Sequence, residues 1–212
     1  MSKIILHCCL TVVLLSISVD CTIPGIGSCP QVQLMTTFDV PQFLGTWYAI
    51  CAYPAKFALD ARCAAATFTW AESQADGISI FSRHVSFGKE NKFMGRAKMI
   101  SPGVLAVEFP AAPKANAYYN ILDTDYNNYA VIFSCNNYYG VANNQNLWIL
   151  SRRRNLEPTF TDRAMQILSM NRLSSFLLKH IDQNCDNINP YPGNQYGNSG
   201  NQYGNSPYYG RQ

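Results

Sequence analysis

The stretch GTWYAIC, residues 45–51, decides how the chain is read. Trp47, Ala49 and Cys51 share one parity, and Tyr48 and Ile50 share the other. In a strand, successive side chains point to opposite faces. Both sets here are apolar or nearly so, so the stretch alone does not say which set faces an interior. The elements around it must decide.

Seven further segments of strand character follow the one at 46–53. They lie at 63–71, 77–87, 91–100, 103–109, 117–124, 128–135 and 146–152, each bounded by turn residues. ADG (75–77), GKEN (88–91) and SPG (101–103) read as hairpin turns. Eight strands at regular spacing predict an antiparallel barrel or sandwich rather than an α/β fold. Several alternate clearly: Leu105, Val107 and Phe109 share a face, and so do Ile78, Ile80, Ser82 and His84. A barrel of eight strands can enclose one small ligand. The inner set includes Ala49, Ala64, Ala66, Gly95 and Ala97, and small inward residues predict unfilled volume. Phe81 and Val85 fall on the outward face. One helix follows the strands. In EPTFTDRAMQILSMN, Phe160, Ala164, Ile167 and Leu168 recur at helical spacing, with Thr159 or Thr161 as the expected cap after Pro158. Residues 173–182 return to strand character.

Residues 1–21 read as a secretory signal peptide, with Lys3 before an apolar run and cleavage after residue 18 or 21. This predicts a secreted, extracellular protein, and no second apolar run of about 20 residues follows to form a transmembrane segment. A domain at 22–187 comes next. Residues 188–212 form a low-complexity Gly/Asn/Tyr tail in which GNQYGNS (193–199) repeats at 200–206, a composition that predicts disorder. The formal net charge is +3 and the basic residues are scattered, so no nucleic-acid surface is expected. Of three histidines, His7 leaves with the signal. His84 has no second histidine at ligand spacing, so no metal is expected. In an oxidising compartment the remaining cysteines, Cys29, Cys51, Cys63, Cys135 and Cys185, joined by Cys21 if cleavage falls after residue 18, are expected to pair, but their count leaves the connectivity open.

Three motifs in order carry a resemblance. GTWY (45–48) opens the first strand, TDY (124–126) follows the sixth, and WILSR (148–152) forms the eighth ahead of a helix. Together they resemble the lipocalins, whose length and element order fit 29–185. ILDTDYNNYAVIFSC (121–135) is most similar to the apolipoprotein D and insect bilin-binding branch, with crustacean carotenoid-binding lipocalins also close. The resemblance implies an all-β, eight-stranded antiparallel up-and-down barrel with one C-terminal α-helix packed outside.

It also implies roles. Trp47 becomes the barrel floor, and Arg152 reaches in to stack on its indole, a contact that contributes about 2 kcal/mol when desolvated. Trp47, Ala49 and Cys51 then face the barrel, while Tyr48 and Ile50 face outward. The implied disulfides are Cys29–Cys135 and Cys63–Cys185. The implied ligand-binding residues are Phe68, Ser82, His84, Phe109, Tyr119 and Trp148, with Phe57 at the mouth. The implied activity is binding and transport of a small hydrophobic molecule such as a bilin, carotenoid, retinoid, sterol or fatty acid, with no cofactor required. Cys51 is left as either a free thiol lining the cup or the partner of Cys21. A cavity thiol would suit an isomerase, but an activated thiolate needs a cationic neighbour that the sequence does not supply, so no catalytic residue is assigned and no enzyme activity is expected. A different expectation attaches to the tail: its tyrosines suit adhesion to a matrix or self-association into a homo-oligomer.

Overall fold

A computed structural model describes residues 23–54, 60–72, 74–111 and 116–185. The signal segment, Phe57, Cys21 and the repeat tail lie outside the described residues. Ten strands run β1 (Ile23–Ile26), β2 (Gly45–Ala52), β3 (Arg62–Trp70), β4 (Ile78–Ser86), β5 (Lys89–Ser101), β6 (Val104–Glu108), β7 (Ala117–Thr124), β8 (Tyr129–Tyr138), β9 (Ala142–Ser151) and β10 (Lys179–His180). Helix α1 (Val40–Phe43) precedes β2, and α2 (Pro158–Met170) follows β9. Neighbouring strands from β2 to β9 pair antiparallel in chain order, and β9 returns to pair with β2. Eight strands therefore close the barrel. β1 adds to the upper part of β9, and β10 adds to the free edge of β2.

The two faces of the wall bury two different clusters. Trp47, Ala49, Phe68, Ile78, Ile80, Ala97, Leu105, Val107, Ile121, Ala130, Ile132 and Leu150 pack inside. Val131, Phe133, Leu147 and Ile149 alternate with the inner residues and pack outside, under Ala164, Ile167 and Leu168 of α2. This is why β8 and β9 read as nearly continuous apolar runs: both faces are covered. The helix begins at Pro158 in its first turn with Glu157 as the N-cap, whose side chain makes no capping bond. The expected caps, Thr159 and Thr161, lie inside it. Pro158 is suited to this place because its missing N–H would find no helical partner there. Residues 173–182, expected as a strand, contribute only Lys179 and His180.

The opening stretch contains a bulge. Ala49 pairs with Leu150, yet the next pair is Cys51 with Ile149, so Ile50 is an extra residue on β2. Parity reverses there. Trp47 and Ala49 face in as expected, but Cys51 shares the side of Ile149 and packs against the outer cluster. Ile50 is buried, at 7% exposure, rather than turned to solvent. The expected placement of Cys51 inside the cup is thus corrected by one inserted residue.

Direct pairing of β2 with β3 runs only from Gly45–Phe68 to Tyr48–Ala65. Beyond that the C-terminal segment takes over. Ile181 N–H donates to Ile50 C=O (2.8 Å), and Cys63 N–H donates to Asp182 C=O (2.7 Å). The buried Gln183 amide donates to both Ala49 C=O (2.8 Å) and Ala64 C=O (2.9 Å), spanning the gap between the strands. The Cys63–Cys185 disulfide fastens this segment, and Cys29–Cys135 ties the N-terminal segment to β8, as the resemblance implied. Val85, outward by parity, is covered at 3% exposure and shares a small cleft with Cys63 and Cys185.

Candidate functional site

The floor is built from aromatic rings. Asp39 caps α1 by accepting from Gln42 N–H (3.1 Å), which sets the helix across the barrel end. Phe43 of that helix stacks on Trp47 (5.1 Å between centroids) and meets Phe68 edge-on (5.2 Å). Phe38 adds a third ring beside Phe43 (5.2 Å), and Trp47 Nε1–H donates to Phe43 C=O (2.9 Å). The Arg152 guanidinium lies 3.8 Å from the Trp47 ring centroid. Its N–H groups also donate to Tyr126 C=O (2.9 Å), Thr46 C=O (3.2 Å) and Gln42 C=O (2.9 Å). One cation therefore joins the end of β9 to α1, β2 and the 125–128 turn. Phe68, one of the expected ligand residues, is 2% exposed and belongs to this floor rather than to the cup above it.

Above the floor the wall residues behave differently. Tyr119 of β7 and Trp148 of β9 approach to 5.1 Å between ring centroids. Tyr119 lies so deep that burial pushes its phenol up to about 12. Its side chain is nevertheless only half-buried, as is Trp148. Both rings pack against the inner cluster and keep some accessible surface. Ser82 shares the inward face of β4 with Ile80, and His84 stacks on Phe93 of β5 (5.8 Å). Burial pushes the His84 imidazole below its usual range, against an opposing pull from Asp60. Phe109 closes over Gly95: a Cβ built there would stand 2.7 Å from the Phe109 ring. The absent side chain of Gly95 is thus occupied space. Ala49 and Ala97 are packed tight at 7% and 1% exposure, so of the small inward residues only Ala64 and Ala66 remain half-buried. The cup is bounded by side-chain placement more than by side-chain size.

Of the expected ligand residues, Tyr119 and Trp148 are brought into contact, while Ser82 and His84 stand on the opposite side of the barrel, on β4. Phe57 lies outside the described residues. Phe93 and Ile181 also pack on the inner cluster, and sequence reasoning did not assign them. The alternation of β5 already sets Phe93 on the face of Gly95 and Ala97, although it was not among the expected ligand residues, and nothing in the sequence signals that a chain end enters the wall at Ile181. Cys51 is free and half-buried, and burial pushes its thiol up. That is the opposite of what an activated nucleophile needs. Among the described residues no group of three or more His, Cys, Asp or Glu side chains converges to hold a metal ion, and no helix is long and apolar enough to cross a membrane.

Comparison with known proteins agrees with this geometry. Residues 38–180 match the family profile described as a Lipocalin-like domain. Apolipoprotein D of Mus musculus is 33% identical over 166 residues, covering 76% of this chain and 85% of that protein. Bilin-binding protein of Pieris brassicae is 26% identical over 136 residues, covering 60% and 69%. The solved structure of lobster apocrustacyanin A1 superposes with a TM-score of 0.67 at 18% identity, covering 76% of this chain and 92% of that one. With its closed eight-stranded barrel, its aromatic floor under Arg152, and both the profile and the apolipoprotein D match spanning most of its length, the chain belongs to the lipocalin family.

Proposed function

We propose that this chain is a secreted carrier that holds one small hydrophobic molecule in the barrel cup. Lipocalin relatives support small hydrophobic ligand binding in general, among them a protein named for binding a bilin. The observation that carries the reading is the Tyr119–Trp148 pair: two rings in contact, deep in the barrel, and still open to accessible space. Such a pair offers a flat apolar face to a planar molecule. Phe109 bounds the same space, and Ser82 and His84 supply polar groups on the β4 side. Phe68 supports the cup from the floor. The ligand is a bilin, carotenoid, retinoid, sterol or fatty acid, bound as cargo and not as a catalytic cofactor. Two disulfides suit an oxidising, extracellular setting.

Purification of the full chain from a secreting host, followed by its visible absorption spectrum and titration with biliverdin, a carotenoid, retinol, a sterol and a fatty acid, tests this reading. Saturable uptake of at least one, lost in Trp148→Ala, is the expected result. No uptake of any of the five overturns it.

A further inference from the structure

The run ANNQN, residues 142–146, and its partner SCNN, residues 134–137, place amides where a barrel wall would be expected to be apolar. Pairing separates them by face. Ser134 is opposite Asn146 and Asn136 is opposite Asn144, in step with Ile132 opposite Trp148. Ile132 and Trp148 pack inside the barrel, whereas Phe133 and Leu147 between them pack outside. Ser134, Asn136, Asn144 and Asn146 therefore face inward.

The outward amides have structural work and the inward ones largely do not. Asn143 donates to Gly27 C=O (3.0 Å) and Ser28 C=O (3.2 Å), and Gln145 donates to Asn143 Oδ1 (2.9 Å), which fixes the N-terminal segment. Among the inward set, Asn144 donates to the Tyr138 hydroxyl (3.0 Å) near the hairpin end. Asn136 and Asn146 have no side-chain hydrogen bond among the described residues, and both are half-buried. The Ser134 hydroxyl is fully enclosed and has no partner among the described residues. A buried polar group left unsatisfied is unfavourable by about 1–3 kcal/mol, so such groups in native proteins call for a reason. Directly opposed residues have Cβ atoms about 5 Å apart, so when a ligand engages it the Asn146 amide can turn to accept from Ser134. Its NH2 group is then aimed into the cup as a donor. β8 and β9 carry no charged residue, so nothing on this wall neutralises a carboxylate.

We propose that Asn136 and Asn146, the latter positioned by the enclosed Ser134 hydroxyl behind it, form a hydrogen-bonding subsite on the β8–β9 wall that receives a neutral oxygen, a hydroxyl or a carbonyl, at one end of an otherwise apolar ligand. The apolar body then lies along Trp148 and Tyr119, next to this wall. This rests on the carrier reading and narrows it: alcohols and ketones of the sterol, retinoid or oxygenated carotenoid kind bind in preference to free carboxylates and plain hydrocarbons.

The test uses three probes that share one polyene body: retinol, retinoic acid and the hydrocarbon anhydroretinol. Binding to the full chain is followed by quenching of tryptophan fluorescence, in the unaltered protein and in Ser134→Ala and Asn146→Ala. The unaltered chain is expected to bind retinol most tightly. Asn146→Ala weakens retinol by about 3- to 10-fold, the loss of one neutral hydrogen bond, and leaves anhydroretinol unchanged. Ser134→Ala lowers retinol affinity in the same direction while the ligand-free melting temperature holds or rises, because an unsatisfied hydroxyl has been removed. Equal changes for retinol and anhydroretinol, or a preference of the unaltered chain for retinoic acid, overturn the subsite and leave the carrier reading standing. If none of the three binds, both fall for this class.

Discussion

Replacing Arg152 with alanine removes the tie across the barrel floor, and the structure sets the size of the effect. The guanidinium lies 3.8 Å from the Trp47 ring and supplies donors to the carbonyls of Tyr126, Thr46, Gln42 and Phe43. Phe43 C=O keeps a second donor in Trp47 Nε1–H, and Gln42 is exposed, so those two carbonyls are provided for. Tyr126 and Thr46 carbonyls are part-buried and lose their donor, about 1 kcal/mol each. The cation–π contact, partly desolvated, adds about 1–2 kcal/mol. The total is about 3–4 kcal/mol, which lowers the melting temperature of a domain this size by about 6–16 °C. Arg152→Lys keeps the charge but not the planar fork that serves several carbonyls at once, so it recovers less than half of the loss. Thermal unfolding followed by circular dichroism, checked against urea unfolding, measures both variants. A drop below about 3 °C for Arg152→Ala, or full recovery by Arg152→Lys, would refute the view that this one side chain holds the floor.

Further outcomes are expected from other parts of the molecule. Gly95→Ala places a methyl group 2.7 Å from the Phe109 ring and 2.9 Å from Glu108 C=O, so urea unfolding should show a loss of about 1–3 kcal/mol. Cys51 should react with a disulfide reagent at pH 8 far more slowly than free cysteine, because burial raises its pKa and starves it of thiolate; reaction at the free rate would place it outside the protein's shelter. Tyr119 and Tyr129 are both held neutral up to about 12, and ordinary tyrosine ionises near 10. Their folded values are raised, so this stabilisation is complete below about pH 10 and is lost as pH rises toward 12. Tyrosinate absorbance should therefore show two groups that titrate late, and unfolding should bring them back to the ordinary range.

The eight barrel strands were legible because each is bounded by turn residues and most alternate, and the motifs GTWY, TDY and WILSR placed them in order. The floor was legible in Trp47 and Arg152. Other parts were not, for physical reasons. The bulge at Ile50 inserts a residue into a run that is apolar at every position, so no break in pattern marks it, and the side of Cys51 was inverted. β1 is spelled IPGI, and proline and glycine argue against a strand until β9 offers an edge to pair with. α1 is a single turn whose formation depends on the Asp39 cap and on burial of Val40 and Phe43. β8 and β9 were read short because their amides look like loop residues, although the inward ones now define the proposed subsite. The inward face was legible for Tyr119, Trp148 and Phe68, but parity gives the face of a residue and not its depth, so the burial of Phe68 against Phe43 was not.

The C-terminal segment in the β2–β3 gap also sets a schedule. During synthesis the hairpins from β3 to β8 form locally as they emerge, since each strand pairs with the next. The seam cannot close until residues 148–151 reach β2, and the upper gap stays open until Ile181, Asp182 and Gln183 arrive. Cys63 waits 122 residues for Cys185. Until then the upper edges of β2 and β3 present unpaired backbone groups, the condition in which a sheet recruits foreign strands. Newly made chains should therefore be most prone to aggregation just before completion, and a chain stopped short of residue 179 should remain in that state.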